Sequence, residues 1–301
     1  MNKYYSIVAP AKLNLNLFVI NRGSNGFHYI NSDVCFLELT DQISIKFNNK
    51  DIFNQNQKNK SLIINSSNNL ILKTINKFRN TYNWDQHFSV YLEKKIPIGA
   101  GLGGGSADAA AILLLLRKLY NNINYKKISI KDIKKIAIQI GSDVPICLES
   151  KDLTLKGYGE KFSRASFANN YYFLLINPNI QLSTKKVFDF YANTSSKKTN
   201  NETNYFKNIK IYNSLLLSSI NFAPQISSIL ELLKKLPNIV AYGMTGSGST
   251  CFGIFKSKKE IISILDKYDD IKCSNYFFWY GQKKDYTMNR IICSKKLENK
   301  F

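Results

Sequence analysis

A run of glycines between a predicted strand and a predicted helix constrains this chain more than any other feature. Five glycines fall within residues 99–105, after the alternating residues 88–93 and before the alanine- and leucine-rich stretch 107–120. Glycines let backbone N–H groups converge on an oxyanion with no Cβ in the way. The helix N-terminus that follows adds about half a positive charge. The segment therefore predicts a phosphate-binding loop, because a plain turn needs only one or two glycines.

Three common phosphate-binding motifs contain such glycines, but for each of them this sequence lacks another residue or motif that is required. Gly99, Gly101 and Gly104 have the spacing of the dinucleotide fingerprint, but residues 120–128 contain no acidic residue to hold a ribose. A P-loop would need a lysine directly before Ser106, where a glycine stands. The HRD and DFG motifs of protein kinases are absent from the sequence. The loop thus belongs to another class of phosphate binder.

Composition bounds the partners without identifying them. The 301 residues are 44% hydrophobic, which is enough for two packed cores. Lysine and arginine number 42 against 21 acidic residues, a formal charge of +21. Such an excess favours anionic partners, whether phosphorylated metabolites, nucleic acid or a membrane surface. The basic residues are scattered along the chain rather than gathered in one arm, which argues against nucleic acid and a membrane surface as partners.

Membrane, disulfide and zinc chemistry have little support in the sequence. The longest apolar run, 109–116, is far below the roughly 18 residues that span a bilayer. Lys3 and Lys12 interrupt the N-terminal hydrophobic stretch, so it does not resemble a signal peptide. Five cysteines without a CxxC pair, and only two histidines, argue against a disulfide framework or a zinc site. We expect a cytoplasmic protein with no membrane partner.

Hydrophobic periodicity predicts an α+β fold of two units, 1–155 and 156–301. Alternation over 13–17 predicts a strand that carries Lys12 and Asn14 on its polar face. Thr40-Asp41-Gln42, between two apolar runs, predicts the turn of a hairpin. Further strands are predicted over 88–92 and 172–176, and helices over 70–82, 107–120, 130–140 and 226–236.

The glycine segment resembles the Pro-x-Gly-x-Gly-Leu-Gly-x-Ser motif of the GHMP superfamily of small-metabolite kinases. Pro10-Ala11-Lys12 and residues 244–250 resemble its two other motifs, in the same order. The resemblance implies a ribosomal protein S5 domain 2-like N-terminal domain and a ferredoxin-like C-terminal domain. It also implies that ATP binds with Mg²⁺, and that the cofactor-binding residues are Pro97, Ile98, Gly99, Ala100, Gly101, Leu102, Gly103, Gly104, Gly105, Ser106 and Ala107.

Residues 9–15, 26–28 and 141–145 resemble the branch of that superfamily whose substrate is a cytidine-diphosphate-linked methylerythritol. The resemblance implies ATP-dependent phosphorylation of the substrate's 2-hydroxyl in the non-mevalonate isoprenoid pathway. It implies a small-molecule substrate, no nucleic acid partner, and a monomer or weak homodimer. Two alternatives stay open, namely a GHMP kinase of the mevalonate or homoserine type and a basic nucleic-acid-binding protein.

An alcohol is a poor nucleophile, so a carboxylate must accept its proton while a cation stabilises the developing charge. Asp143 is the candidate base, although from the residues alone it also fits a turn aspartate that bonds its own backbone. Lys12, which could otherwise be a solvated strand-edge lysine, is the candidate cation beside it. Asn14 could hydrogen-bond the polyol. No Mg²⁺ ligand is evident, although Ser106 at the helix start is a possible one.

The resemblance also assigns a cytosine pocket. Phe27 and Phe188 would stack on the two faces of the base, and His28 would hydrogen-bond its edge. Phe188 could equally be a core residue of a helix. Phe27 stands where the family commonly has tyrosine, which keeps the stacking face. Asp33 stands where an apolar residue is usual, and the sequence offers no physical account of it.

Overall fold

The computed structural model describes residues 3–23, 26, 28–57, 69–194, 204–267, 275–287 and 290–294. The strands in chain order are β1 (Tyr4–Asn14), β2 (Phe18–Arg22), β3 (His28–Asn48), β4 (Ile52–Gln57), β5 (His87–Lys94), β6 (Leu153–Gly157), β7 (Lys161–Arg164), β8 (Tyr172–Asn177), β9 (Asn204–Phe206), β10 (Ile209–Ile211), β11 (Ala241–Met244), β12 (Cys251–Phe255), β13 (Phe277–Gln282) and β14 (Ile291–Ser294). The helices are α1 (Leu70–Tyr82), α2 (Gly104–Ile123), α3 (Ile130–Ile140), α4 (Val144–Glu149), α5 (Thr184–Thr194), α6 (Leu216–Phe222), α7 (Gln225–Lys235) and α8 (Lys258–Lys267).

The larger sheet forms the centre of the N-terminal half. Its main path runs β14-β1-β3-β5-β4, with β2 and β6 paired to other parts of the long strand β3, and β7 paired to β6. Helices α1 to α4 cover one face of this sheet. Residues 109–116 of α2 are buried on every side, as expected of a helix that is apolar all round.

The smaller sheet has the order β11-β12-β8-β13. Successive residues of β8 point to opposite faces of this sheet, as the two-residue period of a strand requires. Phe173 and Leu175 face the larger sheet, where they pack with Leu13 and Leu37. Leu174 and Ile176 face the opposite way, toward the core formed with α5 to α8. The result is a layered α+β fold, helix–sheet–sheet–helix, which confirms the predicted fold class.

The predicted hairpin across residues 40–42 is wrong. These residues lie within β3 and pair without interruption with Pro10, Ala9 and Val8 of β1. Asp41 is completely buried there, because Lys94 and two backbone amides satisfy its carboxylate. A polar residue that looks like a turn signal is thus a buried partner of a distant lysine.

Most predicted helices are confirmed and one begins earlier than expected. Helices α1 and α3 have the predicted bounds, and Ser129 starts α3 with a capping box. Helix α2 begins at Gly104, inside the glycine run. The predicted division at residue 155 falls within β6, and β7 and β14 also extend the larger sheet. In the described part of the chain, no helix is long and apolar enough to cross a bilayer.

Candidate active site

The glycine-rich loop connects β5 to α2 and is held by backbone contacts from both halves of the molecule. Lys12 N donates to Leu102 O at 2.9 Å, from a point in β1 where the pairing register shifts. From the C-terminal half, Leu182 N donates to Gly99 O at 3.0 Å and Thr250 N donates to Ala100 O at 3.2 Å. The conformation of the loop is therefore fixed by the packing of the two halves.

Glycine is required in this loop for steric reasons. Gly101 has φ +76°, and a Cβ there would lie 2.4 Å from the carbonyl oxygen of Thr245. Gly103 has φ +65°, and a Cβ there would lie 3.2 Å from Cε of Lys12. A side chain at either position would thus meet the backbone of the C-terminal glycine motif or the predicted catalytic lysine.

A cleft of about 960 Å³ opens in front of the loop. All of residues 97–106 border it, and so do Lys12, Asn14 and Asp143. Ala107, also predicted as a cofactor-binding residue, is instead buried in the core under α2. The sequence-predicted loop and the sequence-predicted catalytic pair therefore share one cavity.

Lys12 and Asp143 form an ion pair at the edge of the loop. Lys12 Nζ lies 2.9 Å from Asp143 Oδ2 and donates to Asn14 Oδ1 at 3.0 Å. The Lys12 side chain is 7% exposed, whereas that of Asp143 is 37% exposed and opens onto the cleft. Asp143 precedes α4, and its side chain caps no backbone amide there. Its carboxylate thus makes no local turn bond, and its exposed side can accept a proton from a ligand.

Asn14 is oriented by contacts on each of its polar groups. Its Nδ2 donates to Ser32 Oγ at 2.7 Å, while its Oδ1 accepts from Lys12. Its backbone N–H donates to Oγ1 of Thr245 at 2.8 Å. Thr245 belongs to the C-terminal glycine motif of residues 244–250, so this bond joins that motif to β1, the strand that carries Pro10-Ala11-Lys12. Asn14 borders the cleft beside the ion pair.

The other end of the cleft contains the predicted base-binding residues. The rings of His28 and Phe188 lie 5.1 Å apart and tilted by 36°. Nε2 of His28 is buried and has no hydrogen-bond partner in the described structure. Desolvation, reinforced by the charge of Arg22, lowers the pKa of His28 and favours its neutral form. Phe27 lies outside the described residues.

Two charged residues that border the cleft, Lys94 and Asp108, were not among the residues predicted from the sequence. Lys94, at the end of β5, lies 2.5 Å from Asp41 Oδ2 and 2.7 Å from Asp108 Oδ2. Burial raises the pKa of Asp108 to about 8, and the two carboxylates raise that of Lys94 despite its desolvation. Lys94 and Asp108 border the cleft. A signal was present in the sequence, because Asp108 is a lone charge in an apolar helix.

Asp33 has a structural role in the described chain. Its Oδ1 accepts a hydrogen bond from Thr154 Oγ1 at 2.7 Å, and its Oδ2 accepts one from Asn16 Nδ2 at 2.9 Å. The residue thereby links β3 to β6 and to the segment that follows β1. Both carboxylate oxygens of Asp33 are therefore hydrogen-bonded, and the residue does not border the cleft.

Two sequence families match the chain. The family described as GHMP kinases N terminal domain matches residues 69–151, and that described as GHMP kinases C terminal matches residues 208–274. A curated relative from Ehrlichia canis (strain Jake), a 4-diphosphocytidyl-2-C-methyl-D-erythritol kinase, is 36% identical over 264 residues, 83% of this chain and 89% of the relative. A kinase of the same name from Thermoanaerobacter pseudethanolicus (strain ATCC 33223 / 39E) is 33% identical over 296 residues, 94% of this chain and 97% of the relative.

Solved structures share the fold. A crystal structure of 4-(cytidine 5'-diphospho)-2C-methyl-D-erythritol kinase superposes with a TM-score of 0.74 at 22% identity, covering 93% of this chain and all of that one. Homoserine kinase from Cytophaga hutchinsonii superposes with a TM-score of 0.65 at 15% identity, covering 98% of each chain. At such identities the superpositions establish the two-domain architecture alone.

Proposed function

Because this chain belongs to the 4-diphosphocytidyl-2-C-methyl-D-erythritol kinase family of the GHMP kinases, we propose that it transfers the γ-phosphoryl group of ATP to the 2-hydroxyl of that polyol. The observation that carries the proposal is the Lys12–Asp143 ion pair in one cleft with the glycine-rich loop. The reaction would supply the 2-phosphate of this cytidine-diphosphate-linked polyol for isoprenoid biosynthesis.

Asp143 is the proposed general base. Its partly exposed carboxylate accepts the proton of the 2-hydroxyl as the hydroxyl oxygen attacks the γ-phosphorus of ATP. The bond from that phosphorus to the β,γ-bridging oxygen breaks, and ADP leaves with the bonding electron pair. The carboxylate then holds the proton until product release. A partly exposed base can return that proton to water, which restores the site.

Lys12 supports this step from the buried side of the cleft. Its ammonium holds one carboxylate oxygen of Asp143 and is itself held by Asn14, so the reactive group is oriented before the substrate binds. The lysine also provides a positive charge at the loop, where negative charge moves between phosphate oxygens during transfer. Asn14 lies next to both groups and is placed to contact the polyol.

The residues present fit a nucleoside triphosphate bound at the loop. Gly101 and Gly103 let the loop pack directly against Thr245 and Lys12, residues 97–106 border the cleft, and α2 begins directly behind at Gly104. Mg²⁺, when bound with ATP, neutralises charge on the β- and γ-phosphate oxygens. Ser106 borders the cleft and would contribute a ligand oxygen. Among the described residues no group of three or more His, Cys, Asp or Glu could hold a metal, which suits a cation bound mainly by phosphates and water.

The aromatic end of the cleft supports a cytidine substrate rather than a small polyol. Phe188 borders the cleft beside His28, and the unpartnered Nε2 of His28, whose pKa is lowered, can hydrogen-bond a base edge. Phe27 remains the proposed second stacking ring. Mevalonate and homoserine contain no base, so neither would use these groups. We further propose that the protein acts in the cytoplasm as a monomer or weak homodimer, without a nucleic acid partner.

An ADP-release assay tests the function directly. The purified chain is supplied with ATP, Mg²⁺ and, in parallel, 4-diphosphocytidyl-2-C-methyl-D-erythritol, mevalonate or homoserine. We expect turnover of the cytidine compound at least about a hundredfold above the other two, because they lack the stacking base. Turnover of mevalonate or homoserine alone would assign the protein to a sister kinase.

A further inference from the structure

A buried ion cluster lies behind the glycine-rich loop and takes no part in the proposed proton or phosphoryl transfer. It consists of Asp41 on β3, Lys94 at the end of β5 and Asp108 in α2. Lys94 Nζ lies 2.5 Å from Asp41 Oδ2 and 2.7 Å from Asp108 Oδ2, and no side chain in the cluster is more than 5% exposed. The three groups come from three elements that meet at the loop.

Asp41 fixes the point at which the chain leaves β5 and enters the loop. Its Oδ1 accepts hydrogen bonds from the backbone N–H groups of Lys95 at 2.6 Å and Ile96 at 2.9 Å. Hydrogen bonds to an ionised carboxylate are shorter and stronger than neutral ones, more so away from water. The direction of the chain as it enters Pro97 is therefore set by a carboxylate on a neighbouring strand.

Lys94 connects the same cluster to the far end of the loop. A Cβ on Gly104, the first residue of α2, would lie 3.1 Å from Lys94 Nζ and 3.0 Å from Cγ2 of Ile96. Asp108, in the next turn of that helix, holds the ammonium from the other side. Both ends of the loop therefore contact the same buried cluster.

Stability alone does not account for these charges. Apolar side chains of similar volume often replace a buried ion cluster at no loss of stability, because desolvation offsets much of the Coulomb attraction. A cluster with fixed hydrogen-bond geometry instead specifies where the attached backbone lies. Asp41 is completely buried and does not border the cleft, so it cannot touch a ligand. Any effect of Asp41 on ligand binding must pass through the loop.

We propose that Asp41 is a positioning residue that holds the glycine-rich loop in its ATP-binding conformation, through the amides of residues 95 and 96 and through Lys94. The proposal rests on the proposed function, since it concerns the same loop. It predicts that Asp41 governs affinity for ATP and leaves affinity for the polyol unchanged, because the cytidine end of the cleft is built from Phe188 on α5 and from His28 at the opposite end of the long strand β3.

Isothermal titration calorimetry with a non-hydrolysable ATP analogue, and separately with the polyol substrate, tests this inference on the full chain. We expect Asp41→Ala to raise the Kd of the ATP analogue at least about tenfold, because two backbone amides lose their carboxylate acceptor and the Lys94 ammonium loses one of its two acceptors. The Kd of the polyol should stay within about twofold. Asp41→Asn keeps an oxygen for the two amides, so its Kd for the analogue should rise by less.

Asp152→Ala is the matched control. Oδ2 of Asp152 accepts from the backbone N–H of Phe167 at 2.8 Å and from Lys283 at 2.6 Å, and neither charged residue borders the cleft. This variant should lose thermal stability with both Kd values within about twofold of wild type. Unchanged ATP-analogue affinity in Asp41→Ala, or equal weakening of both ligands, overturns the inference.

Two further measurements keep the test decisive. If Asp41→Ala does not fold, Asp41→Asn is used alone, and an ATP-analogue Kd equal to that of wild type overturns the inference. The wild-type protein is measured first with both ligands. A wild type that binds neither contradicts the proposed function itself, whereas binding by wild type and Asp41→Ala alike contradicts only the positioning role.

Discussion

The ammonium of Lys12, on the first strand, lies 2.9 Å from the carboxylate of Asp143, at the start of a short helix from a distant part of the sequence. The lysine is nearly buried, and the aspartate opens onto the cleft. Such a pair places a fixed positive charge behind a carboxylate that can still reach a ligand. The proposed chemistry depends on this relationship.

Replacing Lys12 tests the positive side of that pair. We expect Lys12→Met to lower kcat by roughly 10² to 10³, the usual cost of removing one preorganised charge-stabilising group. The protein should still fold, because the freed carboxylate of Asp143 can be hydrated. Steady-state kinetics and thermal unfolding measure the two effects.

A nearby pair supplies the control for Lys12. Lys134 forms a 2.6 Å ion pair with Glu149 at the other end of the helix that follows Asp143. Because this pair is partly exposed and away from the cleft, Lys134→Met should leave kcat within about twofold of wild type. Equal losses of kcat in both variants would mean that the charge of Lys12 has no special role.

Gly101→Ala tests the steric requirement of the loop. Its positive φ strains any L-residue, and the added Cβ would approach the carbonyl oxygen of Thr245 to 2.4 Å. We expect KM for ATP to rise roughly tenfold or more. Gly159→Ala is the control, since Gly159 also has a positive φ but nothing lies within 4 Å of its would-be Cβ. Unchanged ATP kinetics in Gly101→Ala would show that the loop does not hold the nucleotide as proposed.

Phe188→Ala tests the base-stacking surface. Loss of one aromatic stack costs about 1 to 3 kcal/mol, so KM for the cytidine substrate should rise about 5- to 150-fold while KM for ATP stays constant. Phe190→Ala, on the same helix, is the matched control, because the ring of Phe190 packs on Phe222 instead. A purely structural role for Phe188 would lower stability with no selective change in substrate KM.

Asp108→Asn tests the protonation of the buried cluster. Burial raises the pKa of Asp108 from 3.8 to about 8, so between these values the folded protein retains a proton that the unfolded chain releases. Stability attributable to Asp108 is therefore lost as pH rises through that window. The Tm of Asp108→Asn relative to wild type should increase between pH 5 and about pH 8.

Asp132→Asn is the control for this prediction, because the pKa of Asp132 is lowered rather than raised. Hydrogen bonds from Ser129 and Lys135 lower the pKa of Asp132, so its contribution is lost only as pH falls toward that pKa. The Tm difference of this variant should stay constant over the same pH range. A constant difference for Asp108→Asn as well would contradict the raised pKa.

The candidate-site residues that the sequence predicts lie in contiguous motifs. The glycine run between a strand and a helix indicates a phosphate loop on physical grounds, and the family resemblance connects it to Lys12 and Asp143. The structure brings these residues together in one cleft. Helix α3 was predictable to its ends because Ser129 and Gly141 are strong boundary signals.

Features that depend on tertiary partners were not predictable. Asp41 in Thr40-Asp41-Gln42 has the local signature of a turn, yet Lys94 and two amides make it a satisfied buried group inside a strand. The link between Asn14 and Thr245 likewise joins two halves of the fold that local periodicity treats separately. Local chemistry identifies which residues are unusual, whereas packing decides which partner each one has.

The most direct test of the account is single-turnover phosphoryl transfer by Asp143→Asn, measured together with calorimetric binding of an ATP analogue. Asparagine keeps the size of the side chain and cannot accept the hydroxyl proton. We expect the rate to fall at least about 100-fold, within the range for loss of a general base, while the ATP analogue binds with wild-type affinity. A near-normal rate of transfer would remove Asp143 from the mechanism and contradict the account.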